Sequence, residues 1–273
     1  MNSIITLTTD FGLHDEYAGI MKGVVLSRAP QANVIDLTHG ISPQDIRQAA
    51  YIIHSAYPYF PAGTVHVVVV DPGVGTSRKI IAIHADDHLF VAPDNGVLTL
   101  VITGSRDRIT AYEITSEELF LKPVSQTFHG RDIVAPVAAA LANGVSPRTI
   151  GREIRVDDLV TIPLPEITVD RSSGRISGAV VHIDHFGNAM TNIRLADMRD
   201  FFKNDQPFSD AVTVQIKNRT IHGLQPSYAN VAPGSPVAIF GSRNYLELGV
   251  NRGKASELLD ISIGDEVLVL KTM

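Results

Sequence analysis

The chain has 273 residues, of which 44% are hydrophobic and 19% charged, with a formal net charge of −6 and no cysteine. That composition supports a sizeable core in one large domain or two ordinary ones, and it excludes disulfides, a thiolate nucleophile and cysteine-bound zinc. The acidic balance without any basic block argues against nucleic acid as a partner, and no apolar run reaches the roughly 18 residues of a membrane helix.

The N-terminal MNSIITLTTDFG lacks the basic region of a signal peptide and meets Asp10 early. A soluble, cytoplasmic, enzyme-like protein is expected. Ile4 to Thr8 reads as a β-branched strand that breaks at Thr9-Asp10-Phe11-Gly12, leaving a carboxylate at its end. Helical spacing follows from Asp15 to Ala29 and is stopped by Pro30. Val34 to Leu37 is the next strand. Ser42-Pro43-Gln44-Asp45 predicts a helix start with Ser42 as N-cap and Pro43 in the first position, and that helix runs to about Ala56.

The centre of the pattern is His66-Val67-Val68-Val69-Val70, an apolar run of the kind buried on both faces of a sheet. It stops abruptly at Asp71-Pro72-Gly73-Val74-Gly75-Thr76, with Arg78 seven residues beyond Asp71. A carboxylate at the carboxyl end of a central strand stands where open α/β sheets collect ligands. Taken alone, Asp71 is equally well read as the cap of its own turn. The Gly73–Thr76 loop lacks the Gly-Lys-Ser/Thr ending of a phosphate loop and is better read as a tight turn.

Ile80 to His84 and Leu89 to Ala92 form a hairpin across Ala85–His88, and Pro93-Asp94-Asn95-Gly96 is a further turn before the apolar run Val97 to Ile102. Ala111 to Ile114 is a strand, and Ile133 to Leu141 a buried helix preceded by Phe128-His129-Gly130-Arg131-Asp132. Strands alternating with helices predict an α/β domain with a largely parallel sheet. Near residue 160 the texture changes. Leu159 to Val169 reads as a linker, and the short runs beyond it predict an antiparallel sandwich or small barrel. The expected domains are 1–162 and 163–273.

Asp71, Arg78 and His129 could form an acid, cation and imidazole set in which the His orients or deprotonates a water; an ordinary loop histidine is the plainer reading of His129. Asp10, Asp71, Asp94, His39 and His129 are conceivable ligands for a divalent ion, but no HxH or HxxxH pair supports a metal. Asp184-His185-Phe186-Gly187-Asn188 reads alone as a hairpin turn, and Gly241-Ser242-Arg243-Asn244 as a turn with an Arg free to bind a carboxylate.

Together, TTDFG at 8–12, DPGVGTSR at 71–78, PDNG at 93–96, FHGRD at 128–132, IDHFGN at 183–188 and GSRNYLELGVN at 241–251 resemble one family. It is the S-adenosylmethionine hydrolase (hydroxide adenosyltransferase) group, related to the fluorinase and chlorinase. The resemblance implies an N-terminal α/β domain, a C-terminal β-barrel-like domain, and a homotrimer with ligand held between neighbouring subunits. It implies hydrolysis of S-adenosylmethionine to adenosine and methionine without metal or organic cofactor, and disposal of the non-physiological sulfonium epimer as the role. By position, Asp71, Arg78 and His129 match a water-activating triad and Asp10 a ribose-clasping acid. Tyr228, Asn188 and the Val250 backbone match contacts to the adenine. Asp15, Asp184, Ser242 and Arg243 match groups around the methionine end, with Glu247 near the same pocket. The fluorinase has Tyr-Pro-Ala-Thr-Gly where this chain has Asp71 to Gly75, a Ser where it has Gly130, and an insertion absent from the Asp86-Asp87 hairpin. The chlorinase shares the Gly at 130. An anionic Asp71 would repel a halide and favour water. A halide-using adenosyltransferase and a non-catalytic binder of adenosine or S-adenosylmethionine are the alternatives.

Overall fold

The structure is a computed structural model that describes residues 3–105, 108–203 and 211–271. The chain folds into two compact units, residues 1–163 and 164–273.

In the first unit, β1 (Ile4–Thr9), β2 (Asn33–Thr38), β3 (Val65–Val69), β4 (Ile80–Ala85), β5 (His88–Pro93), β6 (Thr110–Ile114) and β7 (Gly151–Ile154) form one sheet in the order β2-β1-β3-β5-β4-β6-β7. The pairings β1–β2, β1–β3 and β3–β5 are parallel; β4–β5, β4–β6 and β6–β7 are antiparallel. The sheet is therefore mixed, with its parallel half where the helical crossovers lie. The antiparallel half begins at the expected hairpin, whose tip residues Asp86 and Asp87 both take positive φ (48° and 62°), as a tight two-residue hairpin turn requires. The strand β7, Gly-Arg-Glu-Ile, has no apolar alternation and was not foreseen; it is held at the edge by its ladder to β6.

Helices α1 (Tyr17–Arg28), α2 (Ile46–Ala56), α3 (Thr99–Gly104) and α4 (Ala135–Ala142) cover this sheet. All five residues of β3 are buried, as its valine run predicts. Val65, Val67 and Val69 face a core shared with Met21 and Val25 of α1 and Val137 and Ala138 of α4. Val68 and Val70 face the opposite core, with Ile53 of α2 and Val101 of α3.

Ser42 does not cap α2. Asp45 does, accepting the Gln48 backbone N–H at 2.8 Å. Gln44 gives its N–H to Asp10 and sits at φ 66°, outside the right-handed helical region, so the helix starts three residues later than the Ser-Pro signal suggests. The helix expected at 133–141 is also extended at its front, where Gly130–Val134 form a π-helical turn ahead of α4. Such turns are frequent at functional sites.

His66 is fully buried in β3, shares a 2.8 Å hydrogen bond with Thr6 Oγ1 and a 3.3 Å one with His88, and stacks on Phe90 at 5.1 Å.

The second unit is antiparallel: β8 (Thr168–Asp170), β9 (Arg175–Ile183), β10 (Ala189–Arg194), β11 (Val212–Ile216), β12 (Arg219–His222), β13 (Pro236–Phe240), β14 (Tyr245–Val250) and β15 (Glu266–Lys271), with α5 (Leu195–Phe201) and α6 (Ala255–Leu258). The order is β12-β11-β15-β9-β10-β14-β13, and β8 pairs with β9. The sheet curls towards closure, since the chain leaving β12 donates from Gln225 N–H to Ala238 of β13 at 2.9 Å. The expected linker 159–169 is shortened at its far end by β8. Among the described residues no helix is long and apolar enough to cross a membrane.

Candidate active site

The parallel strands β1 and β3 are neighbours and end level with each other, Thr9 opposite Val69. Asp10 and Asp71 leave these two ends, where the chain's crossovers diverge to opposite sides of β1; ligands collect at such a switch point. Beyond Asp71 two successive turns fold the chain back. Val74 N–H meets the Asp71 carbonyl at 3.3 Å and Thr76 N–H meets that of Gly73 at 3.2 Å.

Arg78 is thereby returned onto Asp71. Its Nε lies 2.9 and 2.8 Å from the two carboxylate oxygens, and Nη2 donates to Oδ2 at 2.5 Å. The same Nη2 reaches His129 Nδ1 at 2.9 Å. The three predicted residues thus form one bonded chain with Arg78 in the middle. Side-chain exposure is only 11% for Arg78 and 7% for Asp71.

The middle position of Arg78 settles the His129 tautomer. A guanidinium has donors only, so Nδ1 must accept, and the ring hydrogen is carried on Nε2. Burial, and then the charge of Arg78, push the His129 pKa below its ordinary value; Asp71 and Asp132 oppose this. Near neutral pH His129 is therefore an Nε2–H donor. Of the two uses the sequence left open for it, orienting a water fits this tautomer, and deprotonating one at Nε2 does not.

Three residues after His129, Asp132 is fully buried. Burial alone would raise the Asp132 pKa, but hydrogen bonds from Arg131 and from Ser125 N–H hold it below the usual carboxylate range. On the other side the loop 72–76 rests against Gln126. Gly75 has φ +78°, and a Cβ there would lie 2.4 Å from the Gln126 carbonyl. Gly75→Ala is expected to destabilise the first unit by about 2 kcal/mol or more and to loosen Arg78, read as a lower urea midpoint together with lower turnover.

Asp10 accepts the Gln44 N–H at 2.8 Å through one oxygen. Asp15 stands exposed on the segment entering α1. Sequence reasoning passed over an aromatic cluster beside these groups. Phe128 meets Phe11 and Tyr17 edge to face, with centroids 5.8 and 5.2 Å apart, and Phe11 and Tyr17 lie tilted at 5.8 Å. Its signal was present, because Phe11 and Phe128 directly follow Asp10 and precede His129.

In the second unit, Asp184, Asn188, Tyr228, Ser242, Arg243, Glu247 and Val250 all line one open cavity of about 920 Å³. Strand register builds its floor, since His182, Met190, Glu247 and Ile239 lie in one row across β9, β10, β14 and β13. His182 and Met190 were not anticipated. They sit mid-strand, where nothing local distinguishes them from core. Burial raises the Tyr228 pKa, as does its hydrogen bond to Glu247, and burial raises that of Glu247. Among the described residues no group of three His, Asp or Glu side chains is placed to hold a metal ion, and Asp94 and His39 are engaged elsewhere, with Val160 N–H and with Thr9 and Asp36.

Residues 5–151 match the SAM hydroxide adenosyltransferase N-terminal domain, and residues 178–268 match the C-terminal domain of the same name. The chain is 37% identical to a Thermus thermophilus protein named (R)-S-adenosyl-L-methionine hydrolase, over 96% of this chain and 97% of that one. It is 36% identical to a Salinispora tropica protein of the same name, over 97% of each. A fluorinase from Actinoplanes is 28% identical over 99% of this chain and 98% of its own. Among solved structures, an uncharacterized conserved protein from Thermotoga maritima superimposes with a TM-score of 0.90 at 36% identity, covering 98% of this chain and all of that one.

Proposed function

The chain belongs to the SAM hydroxide adenosyltransferase family, and from that premise we propose that it hydrolyses S-adenosyl-L-methionine to adenosine and L-methionine. The observation that carries the reading is the bonded chain Asp71–Arg78–His129 at the paired ends of β1 and β3. The names of the relatives specify the (R) sulfonium, and we take that epimer as the substrate.

In the reaction a water oxygen bonds to the ribose C5′ as the C5′–S bond breaks. The sulfonium leaves as the neutral thioether of methionine, so no acid is needed at the leaving group. One proton is released from the water. His129 Nε2–H holds the water oxygen, and Asp71 is the anionic acceptor beside it. Arg78 fixes both partners and keeps Asp71 in place. Most of the barrier reduction then comes from positioning and partial dehydration of the nucleophile, a source worth roughly 7–11 kcal/mol at best.

Asp10 clasps the ribose hydroxyls with the oxygen not engaged by Gln44. Tyr228, Asn188 and the Val250 backbone receive the adenine, while Asp15, Asp184, Ser242 and Arg243 receive the amino and carboxylate groups. The protein works as a homotrimer, with the first unit of one copy serving the second unit of a neighbour.

The test is incubation with each sulfonium epimer separately, in oxygen-18 water, with and without chloride. Adenosine labelled at its 5′-hydroxyl, together with methionine, is expected in both salts and chiefly from the (R) epimer. A 5′-chloro nucleoside would instead make the protein a halide-using transferase. Bound adenosine recovered without turnover would make it a binder.

A further inference from the structure

The turn Pro93-Asp94-Asn95-Gly96 ends β5, and the proposed reaction gives it no part. It stands at the base of the loop that carries Asp71 and Arg78. That loop leaves β3 through Val70 and rejoins the sheet at Ile80, the first residue of β4. Both of its ends are bonded to consecutive residues of the turn. Asn95 Nδ2 donates to the Val70 carbonyl at 2.9 Å, and Asp94 N–H donates to the Lys79 carbonyl at 2.9 Å.

The two bonds differ in kind. The Asp94 bond continues the β4–β5 ladder beyond its outermost pair, Ile80 with Pro93. The Asn95 bond stands in for a ladder that has ended, because β3 pairs with β5 only from Val65–Leu89 to Val67–Val91. At Val70 a side chain takes the place of the next strand. Asn95 suits that place because both ends of its amide are used. The Val70 carbonyl only accepts and so takes the NH2, while the Val97 N–H only donates and lies 3.1 Å from Oδ1. The turn is itself pinned from behind. The buried Asp94 carboxylate accepts the Val160 N–H at 2.9 Å, and a Cβ on Gly96 would lie 2.5 Å from Ile162 Cγ2. The NH2 is therefore offered to Val70 from a fixed place.

Arg78 holds Asp71 tightly, but both belong to the same loop, so their mutual bonds do not set where the pair stands over the ends of β1 and β3. We infer that Asn95, acting through the Val70 carbonyl, is a positioning residue of the reaction: it fixes the peptide from which Asp71 departs, and with it the approach of the Asp71–Arg78 pair to the attacking water. This rests on the reading of Asp71, Arg78 and His129 as the reacting set. Without the NH2 the Val70 carbonyl is released on its β5 side, and the base of the loop shifts while the Asp71–Arg78 bonds survive.

The experiment is steady-state turnover of S-adenosylmethionine together with calorimetric titration with adenosine, on the full-length protein at pH 8, for the natural chain, Asn95→Asp and Asn95→Ala. Asn95→Asp decides. It keeps the shape of the side chain and the oxygen that accepts from Val97, and it sets a carboxylate oxygen against the Val70 carbonyl where a donor stood. Its kcat, counted per adenosine-binding site, is expected to fall roughly 10- to 100-fold, the scale of a displacement of about 1 Å at a reacting group. Its adenosine Kd should stay within about threefold of the natural value, because Asn95 does not line the second unit's cavity and acts on the chemical step alone. Asn95→Ala releases Val70 without repelling it; a smaller fall in kcat with adenosine affinity kept is expected there, and it carries the test if Asn95→Asp does not fold. Were Asn95 only the cap of its own turn, Asn95→Asp would keep its kcat, since a carboxylate caps as well as an amide, and that result would overturn the inference. Joint loss of adenosine binding and turnover in both variants would make Asn95 structural and overturn it as well. A natural chain that releases no adenosine from S-adenosylmethionine, or an Asp71→Asn chain with natural kcat, would overturn the proposed reaction itself, a different and separately recognisable result.

Discussion

Arg78→Ala is expected to lower kcat by roughly 10²- to 10⁴-fold, the range of a lost, positioned proton-transfer group. Arg78 bonds both Asp71 and His129, and its removal does two things at once. It leaves Asp71 as a largely covered carboxylate without its cation, which also costs stability on the order of 3 kcal/mol. It frees His129 Nδ1 to carry the ring hydrogen, so that Nε2 no longer points a donor at the water. Arg78→Lys should recover stability but little turnover, because a point charge cannot donate to both neighbours through one planar fork. Asp71→Asn and His129→Ala should each slow turnover by a similar factor with modest loss of nucleoside binding. Pairs of these changes should be no worse than the more damaging single one, because groups that act as a unit are not additive. Steady-state rates combined with nucleoside titrations check all of this, and unchanged rates in the three single variants would remove the set from the reaction.

The same geometry gives a pH dependence. The active form has His129 neutral, since a proton on Nδ1 would face the Arg78 donor. With its pKa held below the ordinary value of 6.5, turnover should be flat across neutral pH and fall only at more acidic pH. An acid limb above 6.5 would contradict the assignment of the tautomer.

Acid should also unfold this protein, through a different histidine. Burial, and then the charge of His88, push the His66 pKa down to about 3. In the unfolded chain an ordinary histidine protonates near 6.5, so below that pH the unfolded state binds a proton that the folded state refuses. The stability contributed by the neutral ring is complete above 6.5 and is lost as pH falls towards 3. At about 1.4 kcal/mol for each pH unit, the loss over that window approaches 4–5 kcal/mol from this one group. His66→Phe keeps an aromatic ring stacked on Phe90 and removes the titration. It should flatten the dependence of the urea midpoint on pH between 6.5 and 4, at the expense of an unpaired Thr6 hydroxyl at neutral pH. A natural chain whose midpoint does not move across that window would show that His66 is protonated without penalty.

Much of the first unit was legible because its signals are local. The valine run of β3 declares a strand buried on both faces, and the Pro-Gly turn after Asp71 declares its end. The hairpin at Asp86-Asp87 declares an antiparallel pair. Where the reading was displaced, a distant group was responsible. Ser42-Pro43 is a good helix start in isolation, but Gln44 gives its N–H to Asp10, thirty-four residues earlier in the chain, and Asp45 becomes the cap instead. The edge strand β7 and the short strand β8 carry charged or exposed residues and exist through their ladders to β6 and β9 rather than through their own pattern.

The candidate site divides in the same way. Its residue types and motif order were readable from the chain, and with them the family, because each motif is a short contiguous stretch at a strand end or turn. Three things were decided only in three dimensions. Arg78 stands between Asp71 and His129 rather than beside them, across a separation of 51 residues. That placement selects the tautomer of His129. Strand register puts His182, Met190 and Glu247 in one row and lets Tyr228 reach Glu247. The physical reason is one of range. Propensity, capping and turn geometry act over a few residues and can be read along the chain. A hydrogen bond at 2.9 Å between remote residues has direction and an atom at each end, and both are set by how the strands and helices pack.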